Sequence, residues 1–270
     1  MISNSFHSRF SIAFASAWLL SSLAQADITI SGSLPHLEPG ANIQLLRQDL
    51  DLRSQSLESE SIVRTDHSFQ MRFDGEPGLF SLALPSSESI ALAIDSSQNV
   101  AIVSDASSPN GYRIDGSPDT ELLQAYETFR KDSLARLVYP PRAALNAANG
   151  SGADEETMTR LSAGEVEGYA AHRRELNDFS IDQVKTSIAL YATSLRWDGD
   201  HRLAELQEQV DAFAKAKPDL VITRSMVERM RLFGLTAIGA IASPLSGTDL
   251  YGENHSLEDV RGKTVLVDFW

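Results

Sequence analysis

The sequence predicts an α+β protein in three successive parts: an N-terminal antiparallel β-sandwich, a helical connector, and the opening of a further α/β unit. Three observations carry this reading. Between Asp27 and Ile114, short runs alternate apolar and polar residues and are separated by turn residues. After Ser117 the apolar spacing changes to threes and fours, the period of a helix. From Gly262 to Trp270, Thr264-Val265-Leu266-Val267 leads into Asp268, Phe269 and Trp270, a run that reads as a strand buried in the middle of a parallel sheet.

Ahead of the first part, residues 1–26 have the form of a secretory signal peptide. Arg9 is the positive start, Phe10 to Leu23 the apolar core, and Ala24-Gln25-Ala26 a small-x-small cleavage site. The core is too short and too broken by serines for a transmembrane anchor. No later segment is long and apolar enough to span a bilayer. The expected location is therefore periplasmic or secreted, with cleavage after Ala26.

The β part, 27–117, starts with Ile28-Thr29-Ile30-Ser31-Gly32, followed by Ile43 to Leu46 and Ser61 to Arg64. Phe69-Gln70-Met71-Arg72-Phe73 and Phe80 to Leu84 alternate cleanly, and Ile90 to Ile94 and Val100 to Val103 complete the set. Glu38-Pro39-Gly40, Asp74 to Gly78 and Pro109-Asn110-Gly111 punctuate them. Short strands at this spacing predict a small antiparallel sandwich.

The helical part, 118–234, opens with Ser117 as a cap and Pro118 in the first turn. Leu122, Leu123, Tyr126 and Phe129 make one face of a helix reaching Val138, which Tyr139-Pro140-Pro141 breaks. Asn146 to Gly152 reads as a loop. A second helix starts near Asp154-Glu155-Glu156 and reaches Phe179, with a dip at Gly164 and Gly168. Val184, Ile188, Tyr191 and Leu195 form a third stripe, followed by a turn at Asp198-Gly199-Asp200. Leu203, Leu206, Val210 and Phe213 form a fourth, ended by Lys217-Pro218, and Val221 to Phe233 makes a last helix.

Composition narrows the function. Lys plus Arg is 23 against Asp plus Glu at 37, a net charge of −14. Nucleic acid and anionic membrane surfaces would be repelled over most of such a protein. No two histidines that remain after leader cleavage have helical i, i+4 spacing, so no zinc motif is present, and the histidines read as surface residues. No nucleophile elbow, phosphate loop or dinucleotide fingerprint occurs, and no cofactor or metal is implied. There is no cysteine, so the chain cannot itself perform thiol chemistry.

The final part, 235–270, resembles a known family. Gly262-Lys263-x-Val265-Leu266-Val267-Asp268-Phe269-Trp270 is similar to the strand that leads into the active site of thioredoxin-like thiol–disulfide oxidoreductases, in particular the secreted redoxins of the TlpA and ResA type. Ile238 to Leu245 resembles the segment that opens their fold, Asp249 to Gly252 a hairpin, and Ser256 to Arg261 a short helical turn. The β part and the helices resemble the regions that precede the redoxin fold in this family. The resemblance implies an incomplete thioredoxin-like fold, truncated before a Trp-Cys-x-x-Cys turn. It also implies protein substrates bearing thiols or disulfides. In that pattern Asp268 is the proton-transfer carboxylate, raised in pKa by burial beneath the disulfide, and Phe269 and Trp270 flank the redox turn. The competing expectation is a non-enzymatic periplasmic binding module built on the β-sandwich and helices.

Overall fold

Among the described residues, eight strands and then six α-helices follow one another, with a small hairpin after them. The computed structural model describes residues 26–85, 89–96, 98–108, 110–197 and 199–267. The expected signal peptide therefore lies almost wholly outside the described residues. No helix among the described residues is long and apolar enough to cross a membrane.

The strands form two four-stranded sheets. One has the order β4 (Ser68–Gly75), β1 (Ala26–Ser33), β7 (Asn99–Ser104), β8 (Tyr112–Asp115). The other has the order β3 (Ser54–Ile62), β2 (Asn42–Asp49), β5 (Gly78–Ala83), β6 (Ser89–Ile94). Alternation sends Ile28, Ile30, Phe69, Met71 and Ile102 from the first sheet against Ile43, Leu45, Phe80, Leu82, Ile90 and Leu92 from the second. Phe73 and Phe80 meet edge to face across the gap, with ring centroids 5.0 Å apart. Each such side chain, withdrawn from water, contributes about 1.5–3 kcal/mol.

Two features differ from the sequence reading. The sandwich is not wholly antiparallel, because β1 pairs with β7 in parallel. Between β1 and β7 the chain visits β2 and β3 of the second sheet, returns to the first as β4, antiparallel to β1, and crosses again through β5 and β6, a connection long enough for the crossover that a parallel pair requires. And β3 begins at Ser54, well before the apolar residues that mark Ser61 to Arg64. Its sequence is mostly Ser and Glu because it is an edge strand, with Leu57 and Ile62 exposed. Backbone pairing to β2 and the Arg47–Glu58 ion pair, 2.9 Å, hold it in register.

The other face of the second sheet carries the helices. Leu79 and Ala93 point away from the sandwich core and join Leu123, Ile188, Leu206, Phe213 and Met226 in a second apolar core. Strand β6 is an edge, and α1 (Pro118–Leu137) covers it. Thr120 Oγ1 accepts from Ala93 N, 3.1 Å, and donates to Ala93 O, 2.8 Å, while Gln124 Nε2 donates to Ala91 O, 2.8 Å. Ser117 caps α1, its hydroxyl accepting from Thr120 N.

The helices correct the sequence reading in three places. Tyr139-Pro140-Pro141 does not lead into a loop; it opens α2 (Tyr139–Ser151), which includes Asn146 to Ser151. Proline is tolerated in a first turn, where its missing N–H needs no partner, and the alanines that follow favour helix. Gly152 ends α2 in the left-handed region, φ 70°. Helix α3 (Glu155–Phe179), capped by Asp154, runs without interruption through Gly164 and Gly168.

The third stripe is not one helix. A π-helical turn, Ser180–Val184, ends at Lys185 with φ 52°, and a new helix, α4 (Ala189–Thr193), begins. Asp119 of α1 explains the restart: its Oδ1 accepts from Ile188 N, 2.8 Å, doing for α4 what a local cap would do. Val184, Ile188 and Tyr191 are still buried, while Leu195 is exposed. Helices α5 (Leu203–Ala216) and α6 (Val221–Thr236) follow the predicted stripes, with Leu206, Val210 and Phe213 buried in the first, and Ile222, Met226 and Met230 in the second.

Three further polar ties fix the helical part to the β layers. Asp119 Oδ2 accepts from Gln98 Nε2, 2.7 Å; Lys217 Nζ reaches Asp95, 2.5 Å; and Arg229 Nη2 donates to Asp51 Oδ1, 2.8 Å.

Candidate functional site

Two regions bear on function. The first is the segment that follows α6, where sequence reasoning placed the site. Asp268, Phe269 and Trp270 lie outside the described residues. Just before them, Thr264 to Val267 forms no strand, and Leu266 is 95 % exposed. Among the described residues no strand pairs with Thr264 to Val267, so their backbone groups and side chains lack the neighbours that a buried strand requires. Upstream the local elements do form. Strands β9 (Ser246–Thr248) and β10 (Asn254–Ser256) pair as an antiparallel hairpin, and a 3₁₀ turn, Leu257–Val260, follows. Ser256 and Asp259 cap that turn reciprocally. Ile238, Ile241, Leu250 and Tyr251 stand exposed around it.

Within the hairpin, Asp249, Glu253 and His255 bring one imidazole and two carboxylates within 4.8 Å of one another. This is the one metal-capable group of three among the described residues, and all its members are exposed. Asp249 also closes the turn, accepting from the N–H groups of Tyr251 and Glu253 and bonding His255 Nε2, 3.1 Å. These bonds hold its carboxyl below the usual carboxylate range.

The second region was not singled out from the sequence. It lies where α1 and α3 cross. Gly168 lets them approach, since a Cβ there would sit 2.2 Å from the carbonyl oxygen of Leu137. Below this crossing Ser133 of α1 is fully buried between His172 and Glu175 of α3. The Ser133 hydroxyl donates to Glu175 Oε2, 2.6 Å, which leaves its oxygen to accept from His172 Nδ1, 2.9 Å. Arg136 closes the group with two bonds to Glu175, the shorter 2.8 Å. Burial opposes the charge on Glu175, but the hydrogen bonds from Arg136 and Ser133 outweigh it and hold the carboxyl below its ordinary value. His172 is driven the other way: burial, and then the charge of Arg130, keep the imidazole neutral to lower pH than usual.

The trio contains a serine, a histidine and a carboxylate, but it is not wired for nucleophilic attack. The hydroxyl proton is committed to Glu175, the imidazole bonds through Nδ1, and Ser133 has no access to solvent. Its effect is to orient His172. That ring, with Tyr169, Arg173 and Leu176 on one face of α3, and Arg196 and Trp197 opposite, lines a cleft of about 380 Å³. Arg196 is paired with Glu127, 3.1 Å. The indole of Trp197 is buried, and its Nε1–H has no hydrogen-bond partner.

Among the histidines, His172 is thus a correction to the surface expectation. A signal for it exists in the sequence: Tyr169, His172 and Leu176 follow one another at spacings of three and four, which sets the imidazole in the buried stripe of α3. Nothing local to Trp197 could have placed it opposite that stripe.

No protein-family model, no curated protein and no solved structure matches this chain.

Proposed function

We propose that this chain is the N-terminal portion of an exported thioredoxin-like thiol–disulfide oxidoreductase. In this reading the sandwich and helices precede a redoxin fold that begins near Leu235. The observation that supports it best is the order of local elements after α6. A hairpin and a capped helical turn follow one another at Ser246 to Val260, as the sequence resemblance implies for that fold. The apolar side chains around them, Ile238, Ile241, Leu250 and Tyr251, are uncovered in this chain. A completed redoxin fold would bury such residues.

In the full reaction a thiolate of lowered pKa attacks a substrate disulfide and a second thiol resolves the mixed disulfide. Asp268 would accept and return the resolving proton. The chain itself holds no cysteine, so it carries no thiol step alone. Two measurements test the proposal. The coding sequence should continue in frame past Trp270 into Trp-Cys-x-x-Cys, and the extended protein should reduce insulin in a thiol-dependent assay. An intact reading frame without that motif overturns the oxidoreductase reading and leaves the binding module.

A further inference from the structure

Between the end of α6 at Thr236 and the start of β9 at Ser246, the chain joins two parts that share no apolar core. Among the described residues, nothing beyond Phe233 belongs to either core. We propose that this connector is a processing site, cut by an endopeptidase whose specificity pocket takes a small apolar side chain. Ala240 to Leu245 forms no helix or strand, and every residue in it is exposed, Ile241 to 93 %. Among the described residues, the backbone groups of Ile241 to Pro244 make no hydrogen bond. An endopeptidase takes its substrate as an extended strand and needs those groups free. Turns in the sandwich are instead closed by their own bonds, from Leu37 N to Leu34 O, His67 N to Arg64 O and Gly111 N to Ser108 O.

The residues of the connector select the class of enzyme. From Leu232 to Thr248 no residue is charged, in a chain of which 22 % is charged. The nearest basic residues are Arg231 and Arg261, and the nearest aromatic ones Phe233 and Tyr251. A pocket built for a basic or an aromatic side chain finds nothing to hold in between, whereas a shallow apolar one accepts Ala240 or Ala242. Pro244 has no N–H and a fixed φ, which removes the Ser243–Pro244 bond from consideration. The Ala240–Ile241 and Ala242–Ser243 bonds remain. In either, water adds across the bond: the alanine carbonyl carbon takes the hydroxyl, the C–N bond breaks, and the leaving nitrogen takes the proton. Ile238, whose N–H is held by Asp200 Oδ2, 3.0 Å, stays with the body. The site does not rest on the redox reading. A completed redoxin fold would cover Ile241, so cutting would then be confined to chains in which that fold has not formed.

Elastase, whose specificity pocket is small, is the probe. It would be added in trace to the full chain, and the products read by mass spectrometry. The expected first cut beyond Ala26 follows Ala240 or Ala242, and the product that ends there accumulates. Its urea midpoint should equal that of the uncut chain, since no core residue has been removed. Ala240→Asp combined with Ala242→Asp should slow cutting of the connector by more than about tenfold, because a carboxylate enters an apolar pocket only at a large desolvation cost. Both alanines are exposed, so the double variant should keep the parent's urea midpoint, which separates lost recognition from altered folding. A first cut within the sandwich or the helices overturns the proposal. So does connector cutting at the parent's rate in the double variant, or a product degraded as fast as it forms. None of these outcomes depends on thiol chemistry or on the sequence past Trp270.

Discussion

Two glycines four residues apart on α3 should respond in opposite directions to the same substitution. Gly164 faces open space, so a Cβ there meets nothing within 4 Å. Gly164→Ala therefore gains only helix propensity and reduced freedom in the unfolded chain, about 0.5–1 kcal/mol. At Gly168 the Cβ would lie 2.2 Å from Leu137 O and 3.3 Å from Pro141 Cγ. The obstacle is backbone, so α1 and α3 must part by about 1 Å, and overpacking of this kind costs about 1–3 kcal/mol. After the same propensity gain, Gly168→Ala should be destabilised by about 1–2 kcal/mol, which separates the two variants by about 1.5–3 kcal/mol.

The assay is equilibrium urea unfolding by circular dichroism, with m-values compared to confirm that midpoints alone have moved. In thermal scans each kcal/mol should appear as a shift of about 2–4 °C for a chain of this size. Histidine titration by NMR adds an independent readout. If α3 is pushed from α1, the burial that lowers the pKa of His172 loosens, and its value should return toward 6.5 in Gly168→Ala and not in Gly164→Ala. A Gly168→Ala protein as stable as the parent would refute the close approach of the two helices and with it the wiring of Ser133 to His172.

Asp119→Ala strands the buried N–H of Ile188 and removes the acceptor for Gln98, and should lower stability by about 2–3 kcal/mol in urea titrations; Asp119→Asn, which keeps a carbonyl oxygen, should lose about half as much. Arg229 and Asp51 join α6 to the turn between β2 and β3, and a double-mutant cycle with Arg229→Gln and Asp51→Asn should return a coupling of about 1 kcal/mol, since Asp51 is partly exposed. Because the folded state holds the pKa of His172 below its ordinary 6.5, the unfolded chain takes the proton first as pH falls. The stability this residue contributes is then complete above about pH 6.5 and is lost as pH falls toward the folded value. His172→Gln should flatten the dependence of unfolding free energy between roughly pH 7 and pH 5, and an unchanged slope would place the titration elsewhere.

What the sequence disclosed follows from how local each cause is. Strands such as Phe69 to Phe73 announce themselves because one face is buried against the opposite sheet, so the alternation is written into the residues. Strand β3 does not, because its stability comes from backbone pairing to β2 and its side chains meet water on both faces. Pro140 and Pro141 read correctly as the end of α1 but they also start α2; proline marks a boundary without saying whether another helix lies beyond it. The break at Lys185 was illegible for a different reason. The group that caps α4 is Asp119, a partner 69 residues from Ile188 in sequence, and no window along the chain contains both. The cleft has the same character: the α3 half is a helical stripe that can be read, and Arg196 and Trp197 arrive opposite it only through the tertiary fold.

The net charge of −14 bears differently on extended partners and on small ligands, because the two are governed over different distances. Long-range repulsion decides what can coat the surface, and it excludes a polyanion that must touch many places at once. A small anion is governed by what lies within about 8–10 Å of it, beyond which salt screens the remaining charge. Around His172 burial acts first against its protonation; the charges of Arg130, Arg173 and Arg196 act in the same sense, and Glu175 opposes them. The total charge of a chain thus excludes classes of extended partner, whereas the class of a small ligand is set by which few groups the helices happen to bring face to face. In this protein the α3 half of the cleft is set by helical spacing, and Arg196 and Trp197 are brought opposite it by the turn that follows α4.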